Sequence, residues 1–458
     1  MSRRFPDGFR WGSATSAYQI EGAVDVDGRG SSIWDTFAHT PGTIADGSNG
    51  DIACDHYHRY RDDVGLMADL GLQDYRFSIA WPRVQPSGVG PPNAAGLDFY
   101  SRLVEALLER DIRPVVTLYH WDLPQALQDR GGWAARETAE RFAEYAAIIG
   151  RHLGDRVETF TTLNEPWCSA FLGHASGAHA PGVRDAATAY RVAHHLLLGH
   201  GRAAAALRAE LPTGREVSIT VNPANVRAAT DSAADVRAAR IAQLATNQVF
   251  LDPLLLGELN AELVQATVGL TDWSFVHDGD LDVIAAPIDL LGINYYNPHL
   301  VGADAHADGT SSPWPGVAGA WSHQQEGPTT GMGWPVEPES MTELLLALAA
   351  DYPGVPFSIT ENGAAYDDVV SADGSVDDQG RAGYLATHVS AVRDAIEGGV
   401  DIRAYYAWSL LDNFEWAWGL AQRFGIVHVD FDTQVRTLKA SALAYRDIIS
   451  SHGTCRPE

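Results

Sequence analysis

Cysteine is scarce in this chain of 458 residues, which contains only Cys54, Cys168 and Cys455. None of the three belongs to a C-x-x-C pair, so the sequence has no metal spacing of that kind, and no metal site is expected. An odd number of widely separated cysteines also argues against a disulfide framework. A chain of this length can bury a large core, so its stability need not depend on such cross-links.

Long apolar runs are also missing. No stretch approaches the ~18 uninterrupted apolar residues that a membrane helix requires. The first residues, MSRRFPDGFRWGS, carry arginines but have neither an apolar core segment nor a small-residue cleavage site. This start differs from that of a secretory signal peptide and favours a cytoplasmic protein.

Positive charge is the third shortage. Lys439 is the only lysine. The chain has 32 basic and 59 acidic residues, for a formal net charge of −27. The negative excess disfavours nucleic acid and anionic membranes as partners, and it disfavours anionic substrates unless arginines gather locally. We interpret most of it as solvated acidic helices. The sequence leaves the oligomeric state open, a homo-oligomer included.

Short apolar runs alternate with amphipathic stretches along the chain. Runs rich in β-branched and aromatic residues are typical of strands that are buried on both faces. Eight of them alternating with helices predict an α/β fold, a (β/α)8 TIM barrel, although a doubly wound sheet would give a similar pattern. No linker divides the chain, so residues 1–458 are expected to form one catalytic domain. The eight runs are Phe9–Ala14, Asp74–Trp81, Pro114–His120, Thr159–Asn164, Val217–Val221, Ile288–Tyr295, Pro356–Thr360 and Arg403–Trp408.

The helical stretches between these runs show the 3.6-residue spacing of apolar positions. The clearest are Gly96–Arg110, Arg136–Leu153, Ala186–Leu211 and Ser340–Ala350. Polar and aromatic side chains lie at or just beyond the carboxyl ends of the apolar runs. In a barrel these strand ends converge on the face that carries the active site. These side chains are His120, Asn164, Glu165, Asn294, Glu361 and Trp408.

Two of these strand-end residues are glutamates, Glu165 in TLNEPW and Glu361 in SITENG. A buried carboxylate is costly unless it is paired or hydrogen-bonded. Two glutamates at the ends of buried strands therefore indicate a catalytic role. Glycoside hydrolysis needs one protonated and one ionised carboxyl group, roughly 5–5.5 Å apart in enzymes that retain configuration. Arg76 and Tyr296 are polar groups that can hold one of the two as the anion.

Six ordered segments closely resemble glycoside hydrolase family 1, the family of the β-glucosidases and related β-glycosidases. The resemblance runs from Phe5 to about Tyr445, and it implies a (β/α)8 barrel, hydrolysis with retained configuration, a small-molecule β-glycoside as substrate and no cofactor. The segments are FPDGFRWGSATSAYQIEGA, YHWDLPQAL, TLNEPW, GINYY, TENG and WSLLDNFEWAWG.

The resemblance also implies roles for single residues. Glu165 matches the acid/base of the family and Glu361 its nucleophile, while Arg76 and Tyr296 match the groups that orient the nucleophile. Asn164 resembles the partner of the sugar 2-hydroxyl, and Trp408 the aromatic floor under the ring. The full sugar-binding set implied in this way is Gln19, His120, Trp121, Asn164, Asn294, Trp408, Glu415, Trp416 and Phe424.

Simpler interpretations stay open for several of these residues. His120 can be a core histidine, Asn164 the cap of a turn and Arg76 a structural ion-pair partner, and we expect Trp133 and Trp418 to be plain core aromatics. The segment Asn297–Pro335 exceeds the usual loop length, which indicates either a lid-like binding loop or structural padding. Five residues are expected to line the aglycone side: Trp167, Cys168, Leu172, His179 and Trp334.

The resemblance also narrows the range of expected substrates. Relatives that act on 6-phosphorylated sugars carry a serine and a basic group where this chain has Glu415 and Trp416, so like-charge repulsion predicts poor binding of a phosphosugar. The predicted activity is hydrolysis of terminal β-D-glucosyl residues, from cello-oligosaccharides or small glucosides. A β-galactosidase, a β-fucosidase or a transglycosylating variant is the alternative within this class. A sugar-binding or scaffolding protein without turnover is the alternative outside it.

Overall fold

The eight predicted strands close into a parallel barrel in the computed structural model, which describes residues 4–303, 314, 319–323 and 325–454. Cys455 lies outside these residues. In chain order the barrel strands are β1 Arg10–Ala14, β2 Asp74–Ser78, β3 Arg113–Tyr119, β4 Thr159–Asn164, β5 Glu216–Val221, β6 Leu290–Asn294, β7 Phe357–Asn362 and β8 Ile402–Trp408.

Each strand pairs with its neighbours in the chain, and β1 pairs with β8 to close the ring, with Ala14 opposite Trp408. The prediction of a (β/α)8 barrel is therefore confirmed, and the doubly wound alternative is wrong. The pairing of β1 with β8 distinguishes the two folds, because a doubly wound sheet is open and leaves an unpaired edge on each of its two outer strands.

One long helix follows each strand and packs on the outside of the barrel, as the apolar spacing predicted. The four helices expected from the sequence are each present within two residues of the predicted ends. The eight helices are α1 His56–Asp69, α2 Ala94–Leu108, α3 Glu137–Leu153, α4 Ala186–Glu210, α5 Ala233–Gln243, α6 Pro338–Asp351, α7 Gln379–Glu397 and α8 Ala440–Ser450.

Among the described residues, shorter helices, turns and strands lie in the connections between the barrel strands and the eight long helices. Seven are helical turns or short helices: Ala17–Ile20, Ile33–Ala38, Trp81–Val84, Gln125–Gln128, Val249–Leu255, Ala261–Ala266 and Asp280–Ile284. Two are 3₁₀ turns, Gly132–Ala134 and Trp416–Trp418, and two are π-helical, Cys168–Ser176 and Leu244–Gln248. Within the described part of the chain, five further strands lie outside the barrel, in a hairpin of Val427–Val429 with Arg436–Leu438 and in a small sheet of Val226–Ala228, His299–Ala303 and Ala320–Ser322.

The strands alternate their side chains between the barrel interior and the helices. On β2, Tyr75 stacks against Phe77, and Phe77 faces Tyr100 of α2, so these rings belong to the layer between strands and helices. Arg76 lies between them in sequence and points into the barrel, where it is fully buried. The two-residue period of a strand thus places apolar side chains outside and a polar group inside.

Two expectations about single aromatic residues have different outcomes. Trp133 is a core residue, 1% exposed, as predicted. Trp418 is not, because it is 49% exposed and lines the mouth of the cavity described below. The tight turn Trp416–Trp418 explains the difference, since Trp416 points inward and the side chain two residues later points to the rim.

The long segment Asn297–Pro335 has secondary structure of its own. His299–Ala303 and Ala320–Ser322 pair in the small sheet, which Val226–Ala228 completes. His299, His323 and Trp334 from this segment line the cavity, so its described part agrees with the interpretation as a binding segment and is not padding. Residues 304–313, 315–318 and 324 lie outside the described residues.

Over the described part of the chain, every helix is too short or too polar to span a lipid bilayer.

The only lysine of the chain takes part in a buried ionic cluster behind β8. Lys439 Nζ donates to Asp412 Oδ1 at 2.6 Å and also pairs with Asp368. Arg423 Nη1 donates to Asp412 Oδ2 at 2.7 Å, and Arg381 Nη1 to Asp368 Oδ1 at 3.1 Å. Asp412 lies in the loop that follows β8, between Trp408 and the turn Trp416–Trp418, so this cluster anchors that loop.

We expect Lys439→Ala to lower the free energy of unfolding by about 3–5 kcal/mol, because two buried carboxylates lose a shared cation. Urea denaturation monitored by circular dichroism measures this effect. Arg446→Ala, on the helix that follows Lys439, is the matched control: its side chain is 46% exposed and lies 3.7 Å from Asp447. That control should cost less than about 0.5 kcal/mol. Equal small losses for both variants would show that the cluster contributes little.

Candidate active site

A cavity of about 600 Å³ opens at the carboxyl ends of the barrel strands. This is the face on which barrels of this type carry their active sites. Of the eighteen predicted site residues, Gln19, Arg76 and Asn164 lie behind the wall and contact residues that form it. The other fifteen line the cavity: His120, Trp121, Glu165, Trp167, Cys168, Leu172, His179, Asn294, Tyr296, Trp334, Glu361, Trp408, Glu415, Trp416 and Phe424.

Glu361 lies near the end of β7 and is held through both carboxyl oxygens. Arg76 Nη1 donates to Oε1 at 2.7 Å, and Tyr296 Oη donates to Oε2 at 2.7 Å. Burial raises the pKa of Glu361, and Arg76 and Tyr296 oppose that rise because they stabilise the anion. The pKa of Glu361 is raised overall, so the effect of desolvation exceeds the lowering that we expected from Arg76 and Tyr296.

Glu165 follows the last residue of β4 and has a left-handed backbone, with φ of 43°. Asn294 Nδ2 donates to its Oε1 at 2.8 Å, and Cys168 Sγ donates to its Oε2 at 3.2 Å. Burial, followed by the negative charge of Glu361, raises the pKa of Glu165 to about 8. Near neutral pH this carboxyl group is therefore protonated, whereas Glu361 has Arg76 beside it to hold the charge.

Strand irregularities aim the two glutamates into the cavity. Between Thr161 and Asn164, β4 has one more residue than the facing part of β5. Between Ile359 and Glu361, β7 has one more residue than the facing part of β6. An extra residue of this kind bends the strand and redirects the following side chain. The positive φ of Glu165 is a further departure from regular geometry, of the sort that concentrates at functional sites.

Asn164 connects the groups around the two glutamates. Its Oδ1 accepts hydrogen bonds from Arg76 Nη2 at 2.6 Å and from Asn294 Nδ2 at 3.1 Å. Its Nδ2 lies 3.1 Å from His120 Nε2. Burial lowers the pKa of His120 well below its usual value, so the ring is neutral and Nε2 accepts this bond. The side chain of Asn164 thus makes its hydrogen bonds to other residues of the site, and its interpretation as the cap of a turn is wrong.

Glu415 lies across the cavity on the loop after β8. Gln19 Nε2 donates to its Oε2 at 3.4 Å and to the carbonyl oxygen of Phe414 at 2.9 Å. Burial raises the pKa of Glu415 to about 8, and the charges of Glu361 and Glu165 add to the rise. The neutral form of Glu415 can donate as well as accept hydrogen bonds.

Aromatic rings form the apolar part of the wall. His120 is stacked between Trp408 and Trp416, with ring centroids 5.8 and 5.9 Å apart. Trp121 packs against Trp416 at 4.4 Å, and its Nε1 donates to the carbonyl oxygen of Asn164 at 2.9 Å. An apolar wall with a few aimed polar groups suits a neutral ligand that is covered with hydroxyl groups.

The five residues predicted for the aglycone side all line the cavity. Cys168 differs from the others because it also contacts Glu165. Sequence reasoning missed Asn222, His299, Met332 and Trp418, which line the same cavity. Asn222 directly follows β5, so the strand-end rule that selected Asn164 and Asn294 would have found it.

The site therefore contains a protonated carboxyl group, a second carboxyl group held by an arginine, and a wall that suits a sugar. A proton donor and an anionic nucleophile or base that face one cavity can together break a glycosidic bond.

Comparisons with known proteins agree with this geometry. The family model described as "Glycosyl hydrolase family 1" matches residues 1–454. The bifunctional β-D-glucosidase/β-D-fucosidase of Bifidobacterium breve is 49% identical over 464 residues, covering 99% of each chain.

Solved structures give the same result. The psychrophilic β-glucosidase from Micrococcus antarcticus superimposes with a TM-score of 0.95 at 46% identity, covering 98% of this chain and 99% of that one. The β-glucosidase from Thermotoga maritima in complex with glucoimidazole has a TM-score of 0.93 at 43% identity, with the same coverage. With a family match over almost its whole length and relatives of this similarity, the chain belongs to glycosyl hydrolase family 1.

Proposed function

We propose that this protein is a retaining β-glucosidase, which releases terminal non-reducing β-D-glucosyl residues from cello-oligosaccharides or small β-glucosides. The observation that carries the proposal is the pair of buried carboxyl groups in one cavity, with the pKa of Glu165 raised to about 8 and Glu361 bonded to Arg76. We also propose that residues 1–458 act as a single catalytic domain.

The reaction follows from the different states of the two glutamates. Glu361 attacks the anomeric carbon while Glu165 protonates the glycosidic oxygen, so the bond to the aglycone breaks and a glucosyl ester of Glu361 forms. Glu165, now ionised, takes a proton from a water molecule. That water attacks the anomeric carbon and releases glucose and free Glu361. Two inversions at one carbon give net retention.

Arg76 and Tyr296 are proposed to orient Glu361. Burial raises the pKa of Tyr296 well above its usual value, so its hydroxyl stays protonated and donates to the nucleophile. The proposed sugar-binding residues combine hydrogen-bonding groups with an aromatic floor, namely Gln19, His120, Trp121, Asn164, Asn294, Trp408, Glu415, Trp416 and Phe424.

Glu361→Ala should lower turnover of an aryl β-D-glucoside by about 10⁵-fold, because no glycosyl ester can form. Azide should restore activity and yield the α-glucosyl azide, since a small anion can enter the space left by the carboxylate. Nitrophenol release and product identification by NMR measure both effects. Glu339→Ala, an exposed glutamate, is the control and should behave as wild type. Full activity of Glu361→Ala without azide would refute its assignment as nucleophile.

The pH profile tests the assignment of Glu165. Proton donation requires its acid form, which is fully populated well below pH 8 and is lost as the pH rises through the pKa of about 8. We expect kcat/KM for an aryl glucoside to fall along a basic limb near that pH. Glu165→Gln should remove the limb and lower kcat/KM for poor leaving groups by about 10²–10⁴-fold.

Glu415 has a pKa raised to a similar value, so Glu415→Gln is the matched variant for this experiment. It should weaken substrate binding but keep the basic limb. If the limb disappears in Glu415→Gln and persists in Glu165→Gln, the proton donor has been assigned to the wrong residue.

A second sugar specificity is favoured by the relative that is described as a β-D-glucosidase and β-D-fucosidase. Gln19 and Glu415 can bind either orientation of a 4-hydroxyl group, so we propose additional activity on β-fucosides and β-galactosides. Rejection of 6-phosphoglucosides rests on the lack of a cation more than on repulsion. Well below pH 8 Glu415 is largely neutral, and within the described residues the cavity wall has no lysine or arginine.

A panel of nitrophenyl glycosides measures this specificity through kcat/KM. The fucoside has the other orientation of the 4-hydroxyl, which Gln19 and Glu415 can also bind, and it lacks the 6-hydroxyl. We expect the glucoside and the fucoside to agree within about tenfold, because the one hydroxyl contact that is lost is worth only about 0.5–1.5 kcal/mol. The 6-phosphoglucoside should be slower by at least about 100-fold, since its phosphate would be buried without a partner. A preference for galactoside above both other sugars would favour the β-galactosidase alternative, and inertness on all of them would favour a non-catalytic protein.

A further inference from the structure

Cys168 makes a contact that the proposed reaction does not yet use. It is the first residue of the π-helical segment Cys168–Ser176, three positions after Glu165. Its Sγ lies 3.2 Å from Glu165 Oε2, while Asn294 Nδ2 occupies the other oxygen at 2.8 Å. Asn222 Nδ2 in turn donates to Cys168 Sγ at 3.7 Å. The thiol therefore lies in a chain of hydrogen bonds that ends on the carboxyl group of Glu165.

The two donors on Glu165 differ in chemistry. The amide nitrogen of Asn294 can only donate a hydrogen bond, so Oε1 always faces a donor. A thiol is a weak donor through S–H and a weak acceptor through sulfur. Cys168 can thus donate to Oε2 when Glu165 is ionised and accept from it when Glu165 is protonated. Oε2, which faces Cys168, is therefore the oxygen that can carry the proton without losing its hydrogen-bond partner.

The thiol keeps its proton in this environment. Burial, with the negative charge of Glu165, raises the pKa of Cys168 well above its usual value. Arg76 is the cation that faces Glu165, and the other titratable groups around it are Glu361, Tyr296 and Glu415. None of these four described groups donates a hydrogen bond to Oε2, whereas Cys168 does.

We propose that Cys168 is a positioning residue for Glu165, and that Asn222 holds the thiol in place. The proposal rests on the proposed role of Glu165 as acid/base. Once Glu165 has given up its proton, both oxygens of the carboxylate are bonded, Oε1 by Asn294 and Oε2 by Cys168. The anion then keeps its orientation until water arrives. Cys168 therefore acts on the reaction through Glu165 as well as lining the aglycone side.

The test compares Cys168→Ala and Cys168→Ser on two aryl glucosides. Phenol is a poor leaving group that needs proton donation, and dinitrophenol is a good one that does not. For Cys168→Ala we expect kcat/KM on the phenyl glucoside to fall about tenfold and on the dinitrophenyl glucoside to stay within about twofold. The basic limb of the pH profile should move upward by about 0.5, because the anion loses a donor.

Cys168→Ser keeps a group that both donates and accepts, so it should restore the limb and most of the phenyl glucoside activity. Asn222→Ala should shift the limb in the same direction as Cys168→Ala but by less. Cys54→Ala is the matched thiol control, because Cys54 is fully buried and donates to the Asp412 carbonyl oxygen at 2.9 Å, away from Glu165. Its pH profile should equal that of wild type.

The outcomes separate the two proposals. If wild type is inert, or if Glu165→Gln shows no dependence on the leaving group, the proposed function itself fails. If both behave as expected but Cys168→Ala keeps the wild-type limb, only the role of Cys168 is overturned. The same holds if both substrates slow equally and serine restores neither, because loss of packing alone would act in that way.

Discussion

The guanidinium group of Arg76 joins three strands inside the barrel. It starts on β2, donates to Glu361 on β7 at 2.7 Å, and donates to Asn164 on β4 at 2.6 Å. A fully buried cation is stable only when its charge is compensated, and here the compensation comes from the groups that the proposed reaction needs. The position of the nucleophile and the packing of the barrel interior therefore depend on the same side chain.

The separation of roles between the carboxyl groups follows from this arrangement. The charge of Glu361 raises the pKa of both Glu165 and Glu415 inside one cavity, and the arginine beside them contacts Glu361 directly. Burial favours the neutral form of each group, so the negative charge concentrates on the group with the cation. One residue thereby becomes the anion and another the proton donor, although their side chains are chemically identical.

Most of the barrel and much of the site could be predicted from the sequence. The eight strands were readable because parallel strands buried on both faces form continuous apolar runs, and Glu165 and Glu361 stood out as carboxylates at their ends. The extra residues in β4 and β7 leave no mark in composition. The exposure of Trp418 depends on a single turn. The pairing of Gln19 with Glu415, 396 positions apart, was available only through resemblance.

The ionic cluster behind β8 also determines how the surface reacts with reagents. Lys439 is the only lysine in the sequence, and its amine is fully buried between Asp368 and Asp412. Reagents that acylate or cross-link lysine side chains therefore find no accessible target on the folded chain. Attachment to a solid support or a dye can instead use carboxyl groups, which the chain has in excess over basic groups, and modification of Lys439 would report unfolding.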